Sequence, residues 1–328
     1  MLAFLEMEPL NLIVVTNPKE PAPPLMERMP EYVQVTEGHT ADAFHESVHN
    51  AEAILSWGGK REVMEYLLSA TPKLRWIHSR SAGLDSLLFP ALVESPLPLT
   101  NGRGVFSQSL GEFVLAAMLY FAKDFRRMIR NQEAGRWEQF NVHEISGQTM
   151  GIVGYGDIGR ACAWRAKAMG MRVLAMRRRP EQSAGDPNVE HVYGFDGLHE
   201  MIRQCDYVVA AAPLTPETKS LISTAEFAAM KPSAIILNVG RGPVIDEPAM
   251  FEALQSGRIR GAGLDVFTVE PLPDGHPFYK MENVLLSPHC SDNTQDWLEQ
   301  AMLFFYKNLE HFRNGEPLEN VVDKRSGY

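Results

Sequence analysis

Short apolar runs alternate with amphipathic stretches along most of the chain, the pattern of parallel strands covered by helices on both faces. In the first hundred residues it predicts strands at Leu12–Thr16, Tyr32–Thr36, Ala53–Ser56 and Leu74–Ser79, with helices at Ala41–His49 and Glu62–Ala70. Pro18, Pro21, Pro23, Pro24 and Pro30 make the segment between the first two strands an extended connection, because each fixes its own backbone and lacks an N–H. A long helix is predicted over Gln108–Arg130, followed by a polar loop with Gly135, Arg136 and Trp137. A second, more regular series of strands follows at Thr149–Val153, Met171–Met176, Tyr207–Ala212, Ala234–Asn238, Gly261–Val266 and Asn283–Leu286. Six strands with helices between them is the count of a complete dinucleotide-binding sheet. The last helix, Asp296–Arg313, is expected to return to the first domain, which has no late capping helix of its own. The expected fold is α/β, with two doubly wound parallel-sheet domains: a smaller, discontinuous one at 1–104 and 294–328, and a Rossmann domain at 105–293.

Composition narrows the class. Of 328 residues 45% are hydrophobic and 22% charged, which excludes a disordered or collagen-like chain. The longest apolar stretch, Val114–Ala122, falls far short of the ~20 residues of a membrane span. The N-terminal Met1–Glu8 carries acidic residues where an export signal has basic ones. A net charge of −10 and the lack of a long basic run argue against a nucleic-acid partner. Cys162, Cys205 and Cys290 are too scattered for a disulfide framework, and no histidine spacing suggests a metal site. A cytoplasmic protein is expected.

The run Gly154-Tyr155-Gly156-Asp157-Ile158-Gly159 follows one predicted strand and opens a helix. In that setting Gly154 permits a tight turn, Gly156 lets the backbone approach a pyrophosphate, and Gly159 lets the helix pack close to the sheet. An NAD-binding domain ends its next strand in a carboxylate that accepts from the ribose hydroxyls. Here Arg177, Arg178 and Arg179 stand at that place. Guanidinium groups suit a 2′-phosphate instead. At about 1.5–3 kcal/mol per charge-assisted bond, two of them favour NADPH by about 10²–10⁴. NADP(H) is the expected cofactor, the alternative for the arginines being a solvated basic loop.

Later strands end in chemistry-bearing residues, at the edge where an open parallel sheet binds ligands. Further cofactor contacts are expected from Ala212, Pro213 and Thr218, from Val239, Gly240 and Arg241, and from Asp265, His289 and Ser291. Reducing a 2-oxo acid requires a cation for the carboxylate and carbonyl, a proton donor for the carbonyl oxygen, and a group that orients the donor. Arg241, His289 and Glu270 fill those roles; a carboxylate partner holds a histidine in one orientation and favours its protonated form. Trp57 and Gly58, after a first-domain strand, are candidates for the substrate pocket, with ordinary packing as the other reading of Trp57. For Trp137 packing is preferred over reaching a partner subunit. Cys290 beside His289 is not read as a nucleophile, since neighbouring residues after a strand tend to face opposite ways.

With these motifs the chain resembles the D-isomer-specific 2-hydroxyacid dehydrogenases along essentially its whole length. The resemblance rests on the glycine run at 154–159, Asn-Val-Gly-Arg-Gly-Pro-Val-Ile-Asp at 238–246, Gly-Ala-Gly-Leu-Asp-Val-Phe-Thr-Val-Glu-Pro at 261–271 and Leu-Ser-Pro-His at 286–289. It implies a flavodoxin-like substrate domain beside the Rossmann domain, with the active-site cleft between them. It also implies Arg241, Glu270 and His289 as the catalytic set and Asp265 as holder of the nicotinamide carboxamide. The substrate carboxylate would be bound by the Ser81, Ala82 and Gly83 backbone, and a homodimer would form through the long helix. The arginines resemble the NADPH-dependent glyoxylate/hydroxypyruvate reductase branch, which implies those small 2-oxo acids as substrates. A larger 2-oxo acid, and a non-catalytic NADP(H) sensor like the family's corepressor members, stay open. One departure is Cys290-Ser291-Asp292 after the histidine, where the family often has small apolar residues.

Overall fold

The computed structural model describes residues 9–327; the acidic stretch Met1–Glu8 lies outside them. The chain divides into two compact units, one running to Phe106 and resuming at Gln295, the other Ser107–Thr294.

In the first unit β1 (Leu10–Thr16), β2 (Val33–Gly38), β3 (Ala53–Trp57), β4 (Trp76–Ser79) and β5 (Leu99–Asn101) form a parallel sheet of order β2-β1-β3-β4-β5. That is the flavodoxin-like order. Successive side chains of β1 point to opposite faces. Leu10, Leu12 and Val14 pack with Trp76 against Ala301, Met302, Phe305 and Leu309 of the C-terminal helix Trp297–Asn314. Ile13 and Val15 pack with Ile54 and Ile77 against Val63, Met64 and Leu67 of the helix Arg61–Ala70. The Trp76 ring stacks on Phe305 with centroids 5.5 Å apart.

Two elements here differ from expectation. The helix predicted over Ala41–His49 is a single 3₁₀ turn, Ala41–Phe44, followed by further turns. Its buried apolar anchors are Phe44 and Val48, too narrow a stripe to hold a full helix against the sheet. The short strand β5 was not anticipated, because three residues after Pro98 carry no readable period.

The second unit holds β6 (Thr149–Val153), β7 (Arg172–Met176), β8 (His191–Tyr193), β9 (Tyr207–Ala210), β10 (Ile235–Asn238), β11 (Gly261–Leu264) and β12 (Val284–Leu286). They form a seven-stranded sheet of order β12-β11-β10-β9-β6-β7-β8, parallel throughout. The expected six strands omitted the edge strand β8, so the last predicted strand extends the six-strand Rossmann order rather than completing it. β6 and β9 are neighbours, and connections leave them in opposite directions; this is the switch point where such sheets take their ligands. The predicted long helix is two, Ser107–Lys123 and Phe125–Glu133, broken at Asp124, whose φ is 53°. The Asp124 carboxylate accepts from Arg127 N at 3.3 Å and starts the second helix. Among the described residues no helix is long and apolar enough to cross a membrane.

Candidate active site

The glycine turn sits at the switch point. Gly154 has φ +99°, and a Cβ there would lie 2.5 Å from the Ala212 backbone, so this position requires glycine on both counts. A Cβ on Gly159 would lie 2.6 Å from the Gly154 carbonyl oxygen, which is the close helix approach the motif demands. At Gly156 nothing lies within 4 Å of the Cβ direction. That open cradle, at the N-terminus of the helix Asp157–Ala168, fits the pyrophosphate of a dinucleotide. A Cβ on Gly240 would lie 2.7 Å from the Ala212 oxygen, so the loops after β6, β9 and β10 converge closely. Tyr155 is buried and its hydroxyl donates to Asp186 at 3.0 Å, so its side chain is spent inside the unit. Burial and the Asp186 carboxylate push the Tyr155 phenol well up. Thr218 donates to the Pro213 oxygen at 2.6 Å and shapes the loop after β9.

The arginines after β7 are not equivalent. Arg177 donates to Ser183 Oγ at 2.6 Å and to Gln182 Oε1 at 2.7 Å. Arg178 lies 3.6 Å from the Glu217 carboxylate, and Arg179 begins the turn Pro180–Ser183 and is exposed. None of Ser183, Gln182 or Asp186 carries a motif that would have singled it out in the sequence.

At the ends of β10, β11 and β12 the three predicted catalytic residues occupy one corner of the sheet. His289 Nδ1 and Glu270 Oε2 are 2.7 Å apart, and Glu270 Oε1 accepts from Phe267 N at 2.8 Å. The carboxylate is thus fixed on one side by backbone and holds the imidazole on the other. Asn238 is buried and braces the Arg241 turn, donating to the Arg241 oxygen at 3.1 Å and accepting from Gly240 N at 3.1 Å. Arg241 and His289 both act electrostatically on Asp292. Burial and then the neighbouring Asp265 raise the Asp292 carboxyl above the usual aspartate range, against the opposing pull of His289 and Arg241.

His289 itself has φ 51°, a left-handed conformation that costs about 1–3 kcal/mol for a non-glycine residue. What enforces it is Asp265, only 1% exposed. Its Oδ1 accepts from Ser287 Oγ at 2.6 Å and from the Cys290 and Ser291 amides at 3.2 Å; its Oδ2 accepts from Ser291 Oγ at 2.6 Å. The His289 amide donates to the Asp265 carbonyl at 2.9 Å. Ser291, expected at the cofactor, holds the loop through Asp265. Cys290 Sγ lies 3.6 Å from Ser287 Oγ.

In the first unit Trp57 is fully buried, and its Nε1 donates to the Pro21 oxygen at 3.1 Å. The carbonyls of Ser81 and Ala82 accept from Gly102 N and from the Asn101 side chain, which fixes that loop. Arg80, just before it, is buried between the Trp57 and Trp297 rings and pairs with Glu20 at 2.5 Å. Trp137, expected to pack, is 94% exposed. Among the described residues no group of three or more histidine, cysteine or acidic side chains is placed to hold a metal.

A doubly wound sheet with this glycine turn and a histidine–glutamate pair at its ligand edge defines a dinucleotide-dependent dehydrogenase. Residues 115–291 match the family model described as the D-isomer specific 2-hydroxyacid dehydrogenase NAD binding domain. The chain is 35% identical to glyoxylate/hydroxypyruvate reductase B of Pectobacterium carotovorum, over 93% of this chain and 96% of that one. It is 32% identical to D-3-phosphoglycerate dehydrogenase of Methanocaldococcus jannaschii over 95% of its own length, and spans only 59% of that longer protein. Among solved structures it resembles a D-isomer specific 2-hydroxyacid dehydrogenase of Xanthobacter autotrophicus in complex with NADPH and MES (TM-score 0.83, 29% identity, 98% and 100% covered). It also resembles an NADPH-dependent glyoxylate/hydroxypyruvate reductase of Sinorhizobium meliloti in complex with NADP and sulfate (TM-score 0.81, 27% identity, 97% and 100% covered). The chain belongs to the D-isomer specific 2-hydroxyacid dehydrogenase family.

Proposed function

We propose that this chain is an NADPH-dependent reductase of a small 2-oxo acid of the glyoxylate/hydroxypyruvate type, yielding the D-2-hydroxy acid. The observation that carries the reading is the 2.7 Å contact between His289 Nδ1 and Glu270, at the strand ends that also bear Arg241 and the glycine turn. With Nδ1 engaged, Nε2 is the nitrogen left to face a substrate. The cofactor would lie on the turn 154–158, with Arg177, Arg178 and Arg179 toward its 2′-phosphate. The loops of Ala212, Pro213 and Thr218, of Val239 and Gly240, and of Asp265 and Ser291 would border it. When bound, the reduced nicotinamide supplies a hydride for the carbonyl carbon.

Arg241 would hold the substrate carboxylate and polarise its carbonyl, and His289 Nε2–H would donate its proton to the carbonyl oxygen as that oxygen becomes an alkoxide. The imidazole then recovers a proton from solvent, held in place by Glu270. In the substrate-binding unit, the role proposed for the Ser81, Ala82 and Gly83 amides is to receive the same carboxylate, with Gly58 nearby in that unit's loops. The two lobes correspond in this reading to a substrate-binding domain, 1–104 with 294–328, and an NADP-binding domain, 105–293. Self-association as a homodimer through the nucleotide-binding unit is supported by exposed Phe125, Met128, Ile129, Trp137 and Trp164 on that unit.

The test is turnover of glyoxylate, hydroxypyruvate, pyruvate and phenylpyruvate with NADPH and NADH in parallel, for the unmodified protein and for His289→Ala and Glu270→Gln. Turnover is expected with NADPH, falling about 10²–10⁴-fold in His289→Ala while NADPH affinity is kept. Cofactor binding without turnover of any 2-oxo acid would point to an NADP(H) sensor instead.

A further inference from the structure

Two guanidinium groups from different elements converge on one buried hydroxyl. Arg177 Nη1, just beyond β7, donates to Ser183 Oγ at 2.6 Å, and Arg160 Nη2, from the first turn of the helix Asp157–Ala168, donates to the same oxygen at 3.2 Å. Ser183 is 4% exposed, so its hydroxyl is a fixed point of the structure. Arg160 Nη1 donates to Asp186 at 2.7 Å, and the same carboxylate oxygen accepts from the Tyr155 hydroxyl at 3.0 Å. Burial works against ionisation of Asp186, but Asn188, Tyr155 and Arg160 outweigh it and keep the carboxyl below the ordinary range. The segment 180–188 therefore stitches the arginine end of β7 to the glycine turn. It borders an open depression of about 420 Å³ together with Arg160.

The Asp186 carboxylate offsets the charge of Arg160, while the Ser183 hydroxyl fixes where both guanidinium groups stand, and a phosphate dianion is the kind of group that can accept from two cations held side by side. We infer that Ser183 is a positioning residue for the 2′-phosphate of NADPH. It fixes Arg177 and Arg160 relative to the glycine turn, so discrimination against NADH passes through a side chain that does not itself meet the cofactor. The inference rests on the NADPH reading proposed above. Its sequence signal is absent, because a serine six residues beyond the strand-end arginine belongs to no motif.

The experiment is fluorescence titration of NADPH and of NADH, giving Kd for the unmodified protein and for Arg177→Gln, Ser183→Ala and Gln182→Ala. Ser183→Ala is expected to weaken NADPH about tenfold, the worth of one charge-assisted bond between a displaced guanidinium and the phosphate, and to leave NADH within about twofold. Gln182→Ala should move the same ratio in the same direction, about threefold, and decides the matter if Ser183→Ala does not fold. Equal affinity of the unmodified protein for both cofactors would end the NADPH reading, and the inference with it. A clear NADPH preference that Arg177→Gln removes, but that Ser183→Ala and Gln182→Ala leave unchanged, would overturn the inference alone. Equal weakening of both cofactors in Ser183→Ala would assign it an ordinary structural role and overturn it too.

Discussion

Ser291 Oγ donates to Asp265 Oδ2 at 2.6 Å, and with the Ser291 amide on Oδ1 it ties the residue two places after His289 to the strand end beneath it. A buried carboxylate accepting from both sides of His289 over-determines a loop whose central residue is in a strained conformation. Ser291→Ala should therefore lose about 1.5–3 kcal/mol, the worth of a hydrogen bond to a charged group. Because the loop would relax where His289 stands, kcat is expected to fall more than KM rises. Denaturant unfolding and steady-state kinetics on the same preparation check both parts. An unchanged unfolding midpoint would mean that the Asp265 contacts do not hold the loop.

The glycine turn separates a folding requirement from a binding one. Gly154→Ala places a methyl group against the Ala212 backbone at a φ of +99° and should destabilise the protein by about 2–4 kcal/mol. Gly156→Ala enters open space at an ordinary negative φ of −95°. It should leave stability within about 1 kcal/mol while weakening dinucleotide binding at least about tenfold, since the methyl group occupies the cradle. Thermal unfolding beside cofactor titration distinguishes the two; undiminished affinity in Gly156→Ala would move the pyrophosphate elsewhere.

His78 gives the first unit a defined acid sensitivity. Burial lowers its pKa to about 3, and Nδ1 lies 2.7 Å from Thr100 Oγ1, which also accepts from Trp76 Nε1 at 2.9 Å. The threonine hydroxyl then donates to a neutral imidazole. Since the unfolded chain takes up this proton near pH 6.5 and the folded one only near 3, stability should fall as pH drops through that window. His78→Asn should flatten that part of the pH–stability curve, whatever it does to the absolute midpoint. Unfolding curves from pH 7 down to about 3 carry the comparison.

Asp292 behaves in the opposite sense. Its carboxyl is raised in the folded state, first by burial and then by Asp265, so the folded protein retains this proton to higher pH than the unfolded chain does. Above that folded pKa the ionised group is a cost. Asp292→Asn should raise the unfolding temperature near pH 7.5, and the gain should fade as pH falls toward about 4. A gain that persisted in acid would place its origin outside this titration.

The two sheets were legible in the sequence because buried parallel strands are near-continuous apolar runs, as Ile235–Leu237 and Tyr207–Ala210 are. Two of the edge strands were less legible. His191–Tyr193 is half-exposed and three residues long, and Leu99–Asn101 is equally short. The break at Asp124 was hidden because Phe125, Met128 and Ile129 continue an apolar pattern that the backbone does not follow as one helix. The three candidate catalytic residues could be singled out because each follows a strand of one sheet. The Asp265 contacts to Ser287 and Ser291, and the Ser183 contacts to two arginines, could not, since they join loops that no spacing rule relates.

The C-terminal helix sets the order in which the chain can complete itself during synthesis. Met302, Phe305 and Leu309 cover one face of a sheet that begins with Leu10 and Leu12. The sheet of the first unit thus waits for a helix made after Thr294, while the contiguous stretch Ser107–Thr294 has every strand of its own by the time its final residue leaves the ribosome. Until then the face of Leu12 and Val14 is bare apolar surface, and it is during this interval that the nascent chain most needs protection from aggregation.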